Sequence, residues 1–273
     1  MLLKLSVLLF TPLASGLLIY AVKNFRSANF KLLLVFAGAY LFGITVVHIL
    51  PELYRENQEV ELIGLFVLIG FFLQQVLEYF SSGVEHGHIH THHHDDHHHD
   101  HDHHHGHKHD HKHEHHVHQT SVQKQQTAIV LLTALCVHAF LEGGMLAEPP
   151  DGMRSSYDLN AILLGIALHR APAAFALMTV LSAQLQSRTK AIPHLVVFSL
   201  AAPAGLLLST FFVQNETISS QGLVFLYALV SGNFLHISTT IVFESTPEHR
   251  FNAKRLAVAV VGALAAVAVE YMI

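Results

Sequence analysis

The sequence predicts an all-α membrane protein of eight transmembrane helices. Three observations carry that expectation. The 273 residues are 51% hydrophobic and only 13% charged, whereas a soluble globular domain carries about 25% charged residues. Apolar runs of roughly 20 residues, the length a bilayer core requires, recur along the chain. The ionisable groups inside two of those runs fall at one depth. An ionisable side chain at the bilayer centre costs about 2.5–3.5 kcal/mol to insert, so it is kept for a pathway or a relay.

The first span is 5–22. Lys4, an apolar run and then Ala14-Ser15-Gly16 also fit a signal peptide, but the apolar run continues past Gly16 to Val22, which favours a span. Spans two and three, 32–50 and 62–80, complete a first block of residues 1–84. Residues 85–124 interrupt the apolar pattern. Within them, 86–118 hold 20 of the 26 histidines and six acidic residues. So few apolar residues cannot bury a core, and a disordered loop is predicted. Its clustered imidazoles and carboxylates bind divalent transition metals weakly and at many places. The densest runs are His92, His93 and His94, then His97, His98 and His99, then His103, His104 and His105. A pH sensor is the alternative, since histidine titrates near neutrality. Spans four to eight are 127–147, 159–182, 192–213, 222–243 and 256–273, within a second membrane block of residues 125–273.

Basic residues predict the orientation. Lys23, Arg26, Lys31, Lys108, Lys112, Lys124, Arg188, Lys190, Arg250, Lys254 and Arg255 all fall on one side of the eight spans. Only Lys4, Arg55 and Arg154 fall on the other, and Arg170 lies inside a span. The positive-inside rule then places both termini outside and the histidine-rich loop in the cytoplasm of a cell membrane, inner or plasma. His138 is eleven residues into span four and His169 ten into span five. At about 1.5 Å rise per residue, both sit near the middle of a roughly 30 Å core. Transporters keep their substrate sites there.

His138 and Glu142 are one turn apart on a single helix face. Imidazole and carboxylate together suit Zn²⁺ and its first-row neighbours. Cys136 is the sole cysteine, so no internal disulfide forms, and in an apolar run it reads as a packing residue. No glycine-rich nucleotide loop is present, so no ATP motor is encoded. Nothing points to a nucleic-acid partner. Pro172 withholds its own hydrogen bond from the Leu168 carbonyl, beside His169. A cavity or ligand would satisfy that carbonyl, and a packing kink is the alternative.

These residues together resemble the ZIP (Zrt/Irt-like protein) family of divalent-metal transporters, over nearly the whole chain. Span two ends His48-Ile49-Leu50-Pro51-Glu52, span four reads VHAFLEGG, span five LHRAPAAFAL and span seven SGNFLHISTTIVFES. Span four is similar to the family's H-x-x-x-E-G element, and span five to the H-K-A-P-A-A-F variant of one branch. The resemblance implies a ZIP-type helix bundle and a metal site in which His138, Glu142 and His169 are the ligands. Many relatives bridge a second metal with a glutamate four residues after the span-five histidine. Here that position is Ala173, Ala139 follows His138, and Arg170 follows His169. A second metal is therefore not expected, and Arg170 stands in as a fixed cation near Glu142; one step of about 100° round the helix from His169, it faces an adjacent water-filled lobe in the alternative. In span seven, Ile241 stands where the family often has histidine and His236 where it often has tyrosine. His48 and Glu52 are candidates for an entrance, and Glu244, Glu248 and His249 for an exit. A helix cap and a solvated helix end are the respective alternatives.

The function this implies is transport of a divalent metal, zinc before Fe²⁺, Mn²⁺ or Cd²⁺, into the cytoplasm by alternating access through a midplane His/Glu site. The metal is substrate, and no cofactor and no enzymatic activity are expected. Partners are the metal ions, the lipid bilayer and, through the small residues around Gly262 in span eight, another helix or a second copy in a homodimer. A membrane-anchored metal sensor or store is one alternative. An intramembrane zinc hydrolase with Glu142 as base is another, although no H-E-x-x-H is present.

Overall fold

The computed structural model describes residues 1–21, 27–81, 121–148, 159–243 and 253–272. Every one of the eight expected spans is helical there. In chain order the helices are α1 (Leu2–Ala21), α2 (Ser27–Ile44), α3 (Leu50–Glu56), α4 (Val60–Ser81), α5 (Ser121–Gly144), α6 (Leu159–Gln184), α7 (Arg188–Gln214), α8 (Ser220–Phe243) and α9 (Ala253–Met272). Among the described residues, six helical segments are long and apolar enough to cross a membrane. The apolar part of α5, Ala128–Gly144, is shorter, because Gln123, Lys124, Gln125 and Gln126 occupy its first turns. The protein is an integral membrane protein.

Span two departs from a plain helix. A π-helical turn, Thr45–Ile49, joins α2 to α3. The Leu50 N–H reaches back to the Thr45 carbonyl, and Thr45 Oγ1 donates to Leu41 O at 2.7 Å. Pro51 follows in the first turn of α3, where it has no N–H to offer the preceding turn. The single residue gained by a π turn shifts the face that the following residues present. Elsewhere proline is carried within continuous helices, at Pro12, Pro172, Pro193 and Pro203. Beside Pro172, the Ala171 carbonyl accepts from the Ser15 hydroxyl of α1.

The helices pack in two groups. α1, α5, α6 and α7 find their most extensive contacts among themselves, as do α2, α4, α8 and α9. The groups meet where α2 crosses α6 and α4 crosses α5. α6 lies at the centre, with 78% of its apolar window buried, whereas α4 faces outward with 22%. Glycines allow the closest helix pairs inside each group. A Cβ on Gly143 would strike the Ala202 carbonyl across the α5/α7 seam, and one on Gly70 would strike the Leu229 carbonyl across the α4/α8 seam. Small residues let helix backbones touch in a lipid medium that supplies no hydrophobic drive between helices. Gly262 is used in the same way, against the Phe36 backbone of α2.

Candidate metal centre

Two apolar clusters divide the bundle along its length. One contains Met145, Leu146 and Ala147 with Ile162, Leu163 and Ile166. The other contains Leu131, Leu135 and Ala139 with Ala174, Phe175 and Met178. Along α5 the gap between them falls at Glu142, and along α6 at His169 and Arg170. A polar layer on α5 and α6 therefore lies between two apolar plugs.

His138, Glu142, His169 and Arg170 are 3, 0, 1 and 1% exposed, so water reaches none of them in this conformation. One turn of α5 sets His138 Nε2 3.0 Å from Glu142 Oε1. The second carboxylate oxygen, Oε2, lies 3.4 Å from Arg170 Nη1 on α6. The His138 and His169 rings stand perpendicular with centroids 5.9 Å apart. One donor atom from each of His138, Glu142 and His169 falls within a mutual distance of 4.8 Å. Among the described residues this is the one group of three or more metal-ligating side chains so placed. Two imidazoles and a carboxylate form a borderline-soft donor set that suits Zn²⁺, and a small inward adjustment would close them on one ion.

Arg170 reaches to α7. Nη2 donates to the Phe198 carbonyl of α7 at 3.2 Å, and the guanidinium carbon sits 4.7 Å from the Phe198 ring centroid. A buried guanidinium needs both a counter-charge and acceptors. Glu142 supplies the first, and the carbonyl and ring face of Phe198 contribute to the second. The carboxylate is thus shared between an imidazole and a guanidinium.

The other sequence-predicted residues that are described do not join this cluster. His48 is half-buried in the π turn, and half-buried Glu52 pairs with Arg55 at 3.2 Å. Pro172 lies in α6 one turn beyond His169. Glu244, Glu248, His249 and the loop histidines from His92 to His105 lie outside the described residues. A cavity of about 920 Å³ opens away from the polar layer, lined by Lys4, Glu148 and Glu216 at the ends of α1, α5 and α7. None of the four polar-layer residues lines it, so its size marks a crevice between helix ends and not the metal centre.

Two part-buried polar contacts were not anticipated from the sequence. Lys4, 7% exposed, donates to Glu148 Oε1 at 2.7 Å and to the Leu146 carbonyl at 3.3 Å, tying the start of α1 to the end of α5. His236 Nε2 lies 2.6 Å from Glu78 Oε2 across the α8/α4 seam. The signal for the second pair was present in the chain. Gln74 and Glu78 are polar at one-turn spacing inside an apolar span, a pattern that marks one helix face.

A sequence profile described as ZIP Zinc transporter matches residues 1–269. Curated relatives carry the same name. Zinc transporter ZIP9 of Micropogonias undulatus is 32% identical over 138 residues, covering 46% of this chain and 43% of the relative. Zinc transporter ZIP9-A of Xenopus laevis and Zinc transporter ZIP9 of Xenopus tropicalis are each 26% identical over 242 residues, covering 84% of this chain and 78% of the relative.

Proposed function

This chain belongs to the ZIP zinc transporter family, and from that premise we propose that it carries zinc into the cytoplasm through the His138–Glu142–His169 cluster by alternating access. The family consists of transporters, so the chain is not an enzyme. The observation that carries the reading is the convergence of three metal-ligating side chains from α5 and α6 in one sealed layer. The packing supports a carrier over a pore. The three ligands and Arg170's carbonyl partner all belong to the α1–α5–α6–α7 group, and apolar clusters stand on both sides of them. Sliding of that group against the other would open one plug at a time and carry the site with it.

In this reading the residues work in sequence. Glu142 rests between His138 and Arg170 while the site is empty. An arriving ion displaces those contacts, and neutral imidazoles with the carboxylate replace its water shell. Arg170 stays anchored on Phe198 and keeps one positive charge beside the ion, so the occupied layer carries more charge than two apolar plugs tolerate well. That repulsion limits affinity and favours release. It also fits one ion per site, with Ala173 where relatives carry a bridging carboxylate. The donor set favours Zn²⁺ over Mn²⁺, with Fe²⁺ and Cd²⁺ as the nearest competitors. The asymmetry of basic residues supports termini outside and a cytoplasmic histidine-rich segment that buffers incoming metal.

Radio-zinc uptake into proteoliposomes tests the assignment, with the intact chain beside His138→Ala. Uptake by the intact chain and its loss in the variant are expected. Intact-level flux in correctly inserted His138→Ala protein would overturn the site.

A further inference from the structure

The α4/α8 seam holds a second imidazole–carboxylate pair that the transport site does not use. His236 on α8 and Glu78 on α4 approach to 2.6 Å. His236 is 7% exposed, and the edge of the Phe71 ring packs against it with centroids 4.8 Å apart. The polar face continues along both helices. Gln74, one turn before Glu78, is fully buried, and so is Asn233, three residues before His236. The Asn233 amide, with its nitrogen turned to α4, donates to the Gly70 carbonyl at 2.6 Å. Two polar layers are thus stacked along one seam, and backbone contact at Gly70 fixes their register.

A pair that served only to glue helices would be expensive. An imidazole–carboxylate pair away from water gains little over apolar packing of the same volume. Polar groups inside membrane helices are normally tied to function. The donor atoms here are of the same two kinds as in His138 and Glu142. They belong to the other packing group, in which α4 and α8 lie together. Unlike the sealed transport layer, the Glu78 side chain keeps 20% of its surface open, so an ion can reach it. α4 ends three residues later at Ser81, and the chain that follows carries 20 histidines between residues 86 and 118.

We propose that Glu78 and His236 form a second divalent-metal site, of lower affinity than the transport site and of the same zinc-class preference, at which the ion pauses on its way between the three-ligand cluster and the water phase. The proposal rests on the transport reading above. Binding displaces the proton shared by the pair, and the ion takes Nε2 of His236 and a carboxylate oxygen of Glu78. Tetrahedral donors around zinc sit roughly 3.3 Å apart, given metal–ligand distances near 2.0–2.2 Å. The pair therefore opens by a fraction of an ångström, which one rotamer adjustment of the partly open Glu78 provides. Water completes the shell. With two firm protein ligands among the described residues the site holds metal weakly, as a transit stop requires.

Anomalous scattering at the zinc edge from crystals of the full chain tests this locally, without interference from the histidine-rich segment. The expected map has one peak at His138, Glu142 and His169 and a second, weaker one between Glu78 and His236. Glu78→Gln and His236→Gln, which keep side-chain volume and hydrogen bonding, should each remove the second peak and leave the first. Zinc flux in the same variants should fall on the order of tenfold, as when a supporting ligand is lost, and Glu78→Asp should recover it. No second peak at a zinc concentration that fills the first, or unchanged flux in both glutamine variants, overturns the proposal. So does a flux that merely shifts with pH in those variants with no second peak, which would make the pair a proton acceptor. Loss of the first peak with the second retained would instead overturn the three-ligand assignment and leave this one standing.

Discussion

The two imidazole–carboxylate pairs inside the bundle use the same chemistry under different constraints. His138 and Glu142 lie on one helix at 3.0 Å, whereas His236 and Glu78 lie on two helices at 2.6 Å. Helix geometry alone aligns the first pair, since residues four apart share a face. The second exists only while α4 and α8 keep their register. The first is sealed and accompanied by His169 and Arg170, and the second is partly open, with the amides Gln74 and Asn233 buried along its seam. The contrast shows how local sequence and helix packing each contribute donors. Preorganised donors come from local sequence, but the third ligand and the balancing charge come from a neighbouring helix.

The largest expected effects fall on the sealed centre. Glu142→Ala and His169→Ala should each reduce zinc flux on the order of a hundredfold, since ligand loss costs at least what loss of a supporting shell does. Glu142→Ala also leaves Arg170 buried without its counter-charge, a loss of about 3–5 kcal/mol. Its thermal unfolding midpoint should therefore fall below that of His169→Ala, and equal midpoints would show that Arg170 finds another acceptor.

The two seams can be broken separately. In Gly143→Ala the added methyl meets the Ala202 carbonyl, and in Gly70→Ala it meets the Leu229 carbonyl. Overpacking of this kind costs about 1–3 kcal/mol, readable as a lower unfolding midpoint in detergent. Gly143→Ala should also weaken zinc binding at His138. Gly70→Ala should leave that binding intact and disturb Glu78 and His236 alone. Equal effects of both on the transport site would mean that the two groups do not act separately.

Arg170→Met sharpens the role of charge. It removes one positive charge near the ion and keeps the side chain's bulk over Phe198. Affinity for zinc should rise about tenfold, the order that a neighbouring unit charge contributes after screening, while turnover slows. Zinc titration and single-turnover flux on the same preparation separate the two. Weaker binding in this variant would mean that Arg170 positions Glu142 and does not repel the ion.

The smallest expected effect concerns the helix ends. The hydrogen bond from Lys4, reinforced by its charge, holds the Glu148 carboxyl below its ordinary value of 4.5. A depressed carboxylate stabilises the fold above that value and loses the contribution as pH falls through the lower, folded one. Glu148→Gln should therefore lower thermal stability slightly near neutrality and flatten its loss below about pH 4.5, so that the two proteins converge in acid. Because Glu148 is mostly exposed, solvent screens the pair and the shift should be small.

Much of the molecule was legible in the chain because a bilayer imposes simple rules. Each span must be apolar over about 20 residues and satisfy its own backbone, so helix number and position follow from local composition. The same economy exposes His138, Glu142 and His169, since a polar group in such a span is rarely incidental. One-turn spacing placed His138 beside Glu142 before any packing was known. The π turn at Thr45–Ile49, by contrast, depends on how residues on either side of Pro51 seat against their neighbours. Periodicity alone read that segment as one regular helix.

Tertiary structure decided the rest. A position one step round the helix from His169 left open whether Arg170 faces Glu142 or a separate lobe, and α6 packing set the guanidinium between Glu142 and the Phe198 carbonyl. The pairing of Glu78 with His236 was hidden because the two are 158 residues apart in sequence and meet only through the register of α4 and α8. The division into two helix groups is of the same kind. Composition records that a helix must be buried in lipid or protein, but lipid tails are as apolar as leucine. The choice of partner is made instead by close packing at small residues and by interhelical polar contacts, which no single span contains.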